Sequence, residues 1–498
     1  MMLRARLAST TRLRSCAALA HSKSAVISTR NRQQTRSVGT NSVAPEDLYS
    51  FGVKHVTKGL GRITEGIMTK GEGSYVYYDN GKQYLDFTCG IGVTGLGHAH
   101  PKVSKAAADQ CMNLVHSQCS IALHEPYVRL IERLLPIMPH PSLDSFFFWN
   151  SGSEAVEAAV KMARQFTGKQ NIISMQGAYH GRTFGAMALT KSKTGYSAGV
   201  HPLMPGVFSI PYPYWHQSNM PPSTPSTVLS SNALYQLELL LSQQTAPADT
   251  AAIIVEPVLG EGGYVSAPPE FLQGLRDICD KNDILLIIDE VQSGFARTGS
   301  WFAIEESGVK PDILVIAKGL GNGFPISGVV SRTELTDTLK PGSMGGTYAG
   351  NAVSCAAAVA VNDVMREENI LENVQARSNE LFSALNHLKY DPSLNPHILD
   401  VRGRGLMVGV EFASPSISSH SHAHATSSKN SNHNNDVKHP ANMASRVAKK
   451  CIEKGMLILT TSVYEVIRFI PPLNVSKEDM KKGCAIFAES VREVVKEG

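Results

Sequence analysis

The sequence predicts an α/β protein whose large domain is built on a mostly parallel sheet between helices. Short apolar segments alternate with segments of helical periodicity, which is typical of a parallel sheet covered on both faces. Polar residues directly follow several apolar segments, and α/β proteins bind ligands at these strand ends. After about residue 350 the pattern changes and predicts a smaller C-terminal α+β domain. A chain of 498 residues, 42% of them apolar, is long enough for this arrangement.

The first segment, residues 1–44, differs from the rest in composition. It holds eight basic residues, seven of them Arg, many Ser, Thr and Ala, and no acid before Glu46. This composition predicts a mitochondrial presequence and a matrix location, and a basic arm without a targeting role is the alternative. Because the whole chain has a net charge of only +4, the remainder is acidic. Nucleic-acid binding is therefore not expected.

Membrane insertion and metal binding are not expected either. Apolar runs such as "AVSCAAAVAV" (352–361) are far shorter than the roughly 18 residues that a membrane span needs. The eight cysteines are scattered and form no CxxC pair, which argues against disulfides or a structural metal.

The predicted order of domains follows from these changes in pattern. Residues 45–90 form an N-terminal segment that packs with the small domain, 91–350 form the large domain, and 351–498 form the small one. Residues 413–440 are rich in Ser, His and Asn and predict a disordered surface insertion. Five histidines there could bind a metal weakly, but we assign the segment no function.

The strands of the large domain are expected at five apolar runs, and helical patterns such as "SEAVEAAVKMARQF" and "PEFLQGLRDICDKN" lie between them. The runs are "SFFFWN" (145–150), "NIISMQ" (171–176), "AAIIVEP" (251–257), "ILLIIDEV" (284–291) and "ILVIAKG" (313–319). Their ends carry Asn150-Ser151-Gly152, Glu256, Asp289-Glu290 and Lys318. The ends of parallel strands meet at one edge, so these side chains should share a site.

A dinucleotide site is one interpretation of "GIGVTG" (90–95), which matches G-x-G-x-x-G. The pattern is weak here, since "LGHAHP" follows instead of a helix and no acid closes a strand about 20 residues later. The sequence also lacks a P-loop, so neither a dinucleotide nor a nucleoside triphosphate is indicated.

Three strand ends together indicate a different cofactor. Ser153 stands at a strand–turn–helix junction and either caps the helix or helps to bind a phosphate, and the two roles are compatible. A buried Asp289 needs a cationic or protonated partner, and a buried Lys318 must be paired or chemically altered. Pyridoxal 5'-phosphate (PLP) has a phosphate, a protonated pyridine nitrogen and an aldehyde carbon that match these three residues.

The chain resembles the class III (ω-amino acid) aminotransferases of PLP fold type I. The resemblance extends from about residue 60 to the C-terminus, apart from the insertion. Its marks are "LDFTCGIGVTGLGHAHP", "SGSEAVEAAVKMAR", "GAYHGRT", "VEPVLGEGG", "IIDEVQSGFARTG", "AKGLGNGFPISG" and "GGTYAGN".

The resemblance implies how the cofactor is held. Lys318 bonds to the cofactor aldehyde and, once released, moves the proton of the substrate carbon. Asp289 keeps the pyridine nitrogen protonated. Gly152 and Ser153 hold the phosphate, and Thr347 adds a hydroxyl from the neighbouring subunit, so a homodimer is implied.

The same resemblance implies contacts with the cofactor ring. Tyr179 stacks on one face of the ring, Val291 packs on the other, and Gln292 reaches the phenolic oxygen. His180 is either a further site residue or a structural histidine.

On the substrate side, the resemblance implies that an amino acid and a 2-oxo acid bind in the same site, one after the other. Arg182 is suited to grip a carboxylate. Glu261 and Arg468 resemble the family's switch pair: Glu261 neutralises Arg468 when an ω-amine is bound and leaves when 2-oxoglutarate or glutamate enters. Ile91 matches a small apolar wall of 4-aminobutyrate aminotransferases.

The particular reaction stays open at this stage. "ALHEPY", "GAYHGRT" and "GYSAG" favour the bacterial-type 4-aminobutyrate enzymes, while "IPPLNVSKEDM" and "GNGFPISG" also fit acetylornithine and ornithine aminotransferases. Alanine–glyoxylate-type members come third. Related folds include decarboxylases, racemases and non-catalytic proteins, but the presence of Lys318, Asp289 and Thr347 argues against an inactive scaffold.

Overall fold

The computed structural model describes residues 45–414 and 439–498. The predicted presequence, and residues 415–438 of the predicted insertion, lie outside the described residues. Of the described residues, 45–56, with the helix Pro45–His55, belong to one unit, and 57–414 and 439–498 belong to a second compact unit.

The helices and strands are numbered in chain order. The helices of the described residues are α1 Pro45–His55, α2 Cys89–Gly92, α3 Pro101–Asn113, α4 Glu125–Leu134, α5 Gly152–Thr167, α6 Phe184–Leu189, α7 Ser226–Gln243, α8 Pro269–Asn282, α9 Thr333–Thr336, α10 Ala352–Glu367, α11 Ile370–Lys389, α12 Met443–Glu453 and α13 Lys477–Glu497. The strands are β1 Met68–Glu72, β2 Tyr75–Tyr78, β3 Gln83–Asp86, β4 Ser145–Trp149, β5 Asn171–Met175, β6 Val207–Ile210, β7 Thr250–Val255, β8 Val258–Leu259, β9 Val265–Ser266, β10 Leu285–Asp289, β11 Ile313–Ile316, β12 Ser327–Ser331, β13 Ile398–Arg404, β14 Met407–Phe412, β15 Met456–Leu457, β16 Leu459–Thr461 and β17 Val466–Phe469.

The central sheet has seven strands in the order β4-β12-β11-β10-β7-β5-β6. All neighbours pair in parallel except β12, which runs antiparallel to β4 and β11. In register, Ile287 of β10 lies between Ile254 of β7 and Ile313 of β11. The mostly parallel sheet confirms the fold class predicted from the sequence.

Helices cover both faces of this sheet, which explains its continuous apolar strands. Every residue of β7, β10 and β11 is buried. Ile254 and Ile287 belong to one core with Val156 of α5. Their neighbours Ile253 and Leu286 belong to the core on the opposite face with Leu275 of α8. Alternate side chains of one strand therefore enter two separate cores.

Two smaller sheets contain strands from the C-terminal part of the chain. β13, β14, β17 and β16 form an antiparallel sheet, and α11 packs against β13. β1, β2 and β3 form the other sheet with β15, and Leu85 of β3 pairs with Met456 of β15. The N-terminal strands thus pair with a C-terminal strand, while the domain bounds drawn from the sequence stay predictions.

The motif "GIGVTG" begins within α2, a turn with an unusual backbone. Cys89 and Ile91 have φ of 46° and 67°, and the glycines between and after them are also positive. Such a left-handed turn costs roughly 1–2 kcal/mol per non-glycine residue and is typical of functional sites. It follows β3 of the small sheet, which is not the strand–helix junction of a dinucleotide site.

Within the described ranges, no helix has both the length and the apolar content needed to cross a membrane. Across the same residues, no group of three or more His, Cys, Asp or Glu side chains is placed to hold a metal ion.

Candidate active site

A cavity of about 440 Å³ opens at the carboxyl ends of β4, β7, β10 and β11. It is lined by backbone and side chains from the predicted strand ends, from the α2 turn and from β17. The lining residues used below are Ile91, Gly152, Ser153, Tyr179, His180, Arg182, Tyr196, Glu256, Glu261, Asp289, Val291, Gln292, Lys318 and Arg468. The strand ends therefore meet at one site, as the sequence predicts, with one exception. Glu290 is not among the residues that line the cavity, because its buried carboxylate accepts the N–H of Ile304 at 2.8 Å and a hydrogen bond from Ser293.

Lys318 stands two residues after β11 and begins a short 3-10 turn, Lys318–Leu320. Its φ of 45° places it in the left-handed region, and this geometry is maintained although it costs energy. Burial, assisted by Arg468, lowers the pKa of Lys318 to about 8, against the opposing effect of Glu261 and Asp289. A substantial neutral fraction at physiological pH makes this amine a nucleophile.

Asp289 is the last residue of β10 and is almost fully buried. One carboxylate oxygen accepts the N–H of Val291 at 3.0 Å, and the other lies 2.7 Å from Nδ1 of His180. His180 is buried too, and its backbone N–H donates to Thr190 Oγ1 at 3.0 Å. The structure thus places His180 as a buried partner that fixes Asp289.

The start of α5 corrects one detail of the sequence analysis. The N-cap is Ser151, whose Oγ accepts the N–H of Glu154 at 3.3 Å, and the helix begins at Gly152. Ser153, one residue inside the helix, has its Oγ turned to the N–H of Arg182 at 3.2 Å. The capping alternative weighed for Ser153 was therefore wrong, because the chain enters the helix two residues earlier. Ser153 lines the cavity instead.

Close packing at this helix start explains two glycines. A Cβ on Gly152 would lie 3.0 Å from Cγ1 of Val291, and one on Gly181 would lie 2.3 Å from Ser153 Oγ. Gly181 also has a φ of 129°, a backbone angle that residues other than glycine rarely adopt. The free N–H groups of the helix start can therefore approach an anion in the cavity closely.

Tyr179, Val291 and Gln292 also line the cavity, as predicted. The N–H of Tyr179 donates to Glu256 Oε1 at 2.9 Å. Oε1 of Gln292 is buried and has no hydrogen-bond partner among the described residues. A buried amide oxygen without a partner is costly, and a ligand in the cavity would remove that cost.

Glu256 is a site residue to which the sequence analysis gave no role. It follows β7, is buried and accepts the N–H groups of Tyr179 and Gly260 at 2.9 Å. Burial, with a contribution from Asp289, raises the pKa of Glu256 to about 7, although His180 acts in the opposite direction. The sequence feature that could have identified Glu256 is its position at a strand end, like that of Asp289 at the end of β10.

Glu261 and Arg468 form a buried ion pair between Oε1 and Nη1. Arg468 lies on β17, opposite Gly409 of β14, so the small antiparallel sheet delivers it to the cavity. Burial acts to raise the pKa of Glu261, but Arg468 outweighs burial and the pKa lies below its ordinary value. Glu261 is thus an anion that neutralises Arg468.

Arg182 and Ile91 are the exposed members of the predicted substrate side. Nε of Arg182 donates to the hydroxyl of Tyr179 at 3.1 Å, and its guanidinium carbon lies 4.3 Å from the ring centre of Tyr196. Within the described ranges Arg182 forms no ion pair. Ile91 is 43% exposed and lines the cavity from the α2 turn.

Thr347 does not line this cavity in the single chain. It is exposed, next to Tyr348, which is 66% exposed. Its contribution to the site of a neighbouring subunit stays a prediction.

The cavity, with a lysine, an aspartate and a helix start at the ends of neighbouring strands, defines a PLP-binding site of an α/β enzyme. The sequence profile of the family Aminotransferase class-III matches residues 60–491. The chain belongs to this family and is therefore a PLP-dependent transaminase.

Individual proteins agree with the family assignment. A 5-aminovalerate aminotransferase of Pseudomonas aeruginosa is 38% identical over 440 residues, which is 88% of this chain and 96% of the relative. A 4-aminobutyrate aminotransferase of Escherichia coli is 36% identical, covering 87% of this chain and 95% of the relative. The solved structure of an ornithine aminotransferase from Toxoplasma gondii is 27% identical with a TM-score of 0.76, covering 92% and 98% of the two chains.

The residues of the cavity fit PLP. The chain supplies an amine of lowered pKa, a buried carboxylate, free N–H groups at the start of α5 and the partnerless oxygen of Gln292. When bound, PLP supplies an electron sink for the carbon that carries the amino group.

Proposed function

We propose that the enzyme moves the amino group of an ω-amino acid, first among them 4-aminobutyrate, to 2-oxoglutarate. The products are the semialdehyde and glutamate, formed by a ping-pong mechanism in two half-reactions. The observation that supports this most is the ion pair of Glu261 and Arg468, with Arg182 free to bind a carboxylate.

The charges of the cavity suit an ω-amino acid in the paired state. Such a substrate has one carboxylate, far from the reacting carbon, and Arg182 can bind it. No second carboxylate stands beside the reacting carbon, so a free Arg468 there would be an unpaired buried cation. Glu261 removes this cost by pairing with Arg468.

Glutamate and 2-oxoglutarate require the other state of the pair. Each has a second carboxylate beside the reacting carbon, which a fixed Glu261 would repel. If Glu261 turns away, Arg468 can bind this carboxylate while Arg182 holds the distal one. One cavity can thereby serve both half-reactions, as a ping-pong mechanism needs.

We propose that Lys318 is the catalytic base as well as the covalent attachment point of PLP. With this lowered pKa, the amine would be able to accept the proton of the substrate carbon and to donate it again. His180 keeps the Asp289 carboxylate in place, where it would hold the pyridine nitrogen of bound PLP protonated.

The substrate assignment is tested with the purified protein, PLP and 2-oxoglutarate against a panel of amines. We expect glutamate to form most rapidly with 4-aminobutyrate or with its five-carbon homologue 5-aminovalerate. A higher kcat/KM for ornithine or N-acetylornithine would favour an ornithine or acetylornithine aminotransferase, a group that includes the 27%-identical Toxoplasma gondii structure. A preference for alanine with glyoxylate would favour an alanine–glyoxylate-type enzyme.

We also propose that the active form is a homodimer. The end of α3 and the segment that joins it to α4 carry exposed apolar side chains, Met112, Ile121 and Leu123, at 86%, 83% and 69% exposure. His124 Nε2 lies 2.8 Å from the carbonyl oxygen of Gly350, which joins this segment to the one that carries Thr347. A second copy would cover this apolar surface and bring Thr347 to the partner's phosphate site.

The dimer is tested by sedimentation and by mixing variants. Wild-type protein should sediment as a dimer at micromolar concentration. Thr347→Ala should weaken PLP binding, and a heterodimer with Lys318→Ala subunits should regain one intact site. A fully active monomer would refute the proposal.

Residues 1–44 are proposed to direct the chain to the mitochondrial matrix. In support, the family match starts only at residue 60, after the basic segment. A fusion of residues 1–44 to a reporter should enter mitochondria, and replacing its seven Arg by Gln should leave the reporter in the cytosol. A cytosolic wild-type fusion would contradict this proposal.

A further inference from the structure

Tyr196 lies between the two halves of the substrate site. It ends the short turn Thr194–Tyr196 and lines the cavity. Its hydroxyl donates to Oε2 of Glu261 at 3.2 Å, while Arg468 holds the other oxygen of the same carboxylate. Glu261 is thus held from two sides.

The ring of Tyr196 contacts the other end of the site. The guanidinium carbon of Arg182 lies 4.3 Å from the ring centre, which is a cation–π distance. The ring also meets Tyr179 edge to face, with centres 5.3 Å apart and planes at 74°. One side chain therefore touches both the proposed clamp for the distal carboxylate and the proposed switch carboxylate.

The hydroxyl of Tyr196 stays a donor throughout the range in which the enzyme is expected to work. Burial, then Glu261, raises the pKa of Tyr196 to about 12, although Arg182 acts against this rise. A neutral phenol can donate its hydrogen bond to the Glu261 carboxylate at neutral pH.

We propose that Tyr196 is a specificity-determining residue that stabilises the state in which Glu261 covers Arg468, the state suited to ω-amino acids. Glu261 must break the hydrogen bond from Tyr196 before a second carboxylate can reach Arg468. Tyr196 therefore favours the ω-amine over glutamate, and its ring keeps Arg182 in place for both substrates. The inference rests on the proposed switch between Glu261 and Arg468.

The variant Tyr196→Phe separates the hydroxyl from the ring. It keeps the platform under Arg182 and the edge contact with Tyr179, but it loses the hydrogen bond to Glu261. We expect the KM for glutamate and 2-oxoglutarate to fall roughly tenfold, the effect of one hydrogen bond to a charged group. The kcat for these substrates should hold, and the KM for the ω-amine should not fall.

Equilibrium binding gives a second readout that needs no turnover. Glutarate has two carboxylates and no amino group, so it should bind only when Glu261 has left Arg468. Its Kd on the PLP-loaded enzyme, measured by calorimetry, should fall by a similar factor in Tyr196→Phe. Tyr235→Phe, at an exposed position of α7, is the matched control and should leave both quantities unchanged.

The variant Glu261→Ala separates failure of this inference from failure of the proposed function. If the switch exists, Glu261→Ala alone tightens glutarate binding, and adding Tyr196→Phe changes it no further. If Glu261→Ala tightens binding but Tyr196→Phe does not, the role of Tyr196 is refuted and the switch stands. If neither variant changes glutarate binding or the ratio of the KM values for the ω-amine and for glutamate, the proposed switch itself is wrong.

Discussion

At the scale of single residues, the site depends on side chains whose ionisation is set by their surroundings. Lys318 has a lowered pKa because it is buried, and Glu256 a raised one for the same reason. Asp289 is held by His180 and the N–H of Val291. Burial thereby shifts the pKa of one amine and one acid in opposite directions within one cavity, while hydrogen bonds fix the position of Asp289.

The pKa of Lys318 predicts how PLP attaches to the apoenzyme. The reactive form of the amine is neutral, and its fraction falls about tenfold per pH unit below a pKa that has been lowered to about 8. The rate of covalent attachment should therefore rise with pH and level off above about pH 8. Borohydride trapping followed by peptide mass spectrometry measures it.

In the same experiment, Lys318→Ala should remove the trapped label, and kcat should fall by several orders of magnitude. The control variant Lys281→Ala, at the exposed end of α8, should retain the trapped label and the wild-type kcat. Label on another lysine would show that Lys318 is not the attachment point.

Asp289→Asn should slow both half-reactions together. The substitution keeps the shape of the side chain but removes the charge that we propose holds the pyridine nitrogen protonated. Stopped-flow measurements with the ω-amine and with glutamate should show similar losses in rate. A loss confined to one substrate would make Asp289 a substrate contact instead.

At the scale of elements, neighbouring serines at the start of α5 are expected to have different roles. Ser151→Ala removes the N-cap and should lower the free energy of unfolding by about 1 kcal/mol. Ser153→Ala leaves the cap in place and should weaken PLP binding more than it lowers stability. Denaturant titration and PLP titration of both variants test this, and interchanged effects would contradict the assignment.

A second prediction at this scale concerns the link between β14 and the loop of Glu261. Buried Glu411 accepts hydrogen bonds from Arg402 and Tyr214, and Arg402 donates to the carbonyl oxygen of Gly263 at 2.9 Å. Glu411→Gln leaves Arg402 with only the partly exposed Asp400, 3.4 Å away, as a counter-charge, so the free energy of unfolding should fall by about 3–5 kcal/mol.

The matched control for Glu411→Gln is Glu306→Gln. Glu306 pairs with Arg404 at the surface, so the loss there should stay below about 1 kcal/mol. Equal losses in the two variants, by denaturant titration, would mean that the buried network has no special role.

At the scale of the whole molecule, the sequence predicted the features that depend on local pattern. Apolar runs at β7, β10 and β11 fixed the fold class, and the strand ends then brought Lys318 and Asp289 together. The rule that ligands bind at these ends needs no knowledge of side-chain contacts, which is why it succeeded.

The features that the sequence did not predict depend on contacts between distant segments. The pair of His180 and Asp289 spans 109 residues, and the contact of Tyr196 with Glu261 spans 65. The cap at Ser151 depended on where the chain enters the helix, within two residues, and such bounds are rarely fixed by pattern. The left-handed backbone at Ile91 runs against the preference of a β-branched residue.

The proposed transamination requires one cavity to serve two differently charged substrates. The most direct test is the single-turnover rate of each half-reaction in Glu261→Ala and Arg468→Ala. Glu261→Ala should slow the ω-amine half-reaction more than the glutamate half-reaction, because Arg468 is then left unpaired. Arg468→Ala should do the reverse and raise the KM for glutamate and 2-oxoglutarate most. Equal losses in both half-reactions for both variants would contradict the switch and leave the pair a structural one.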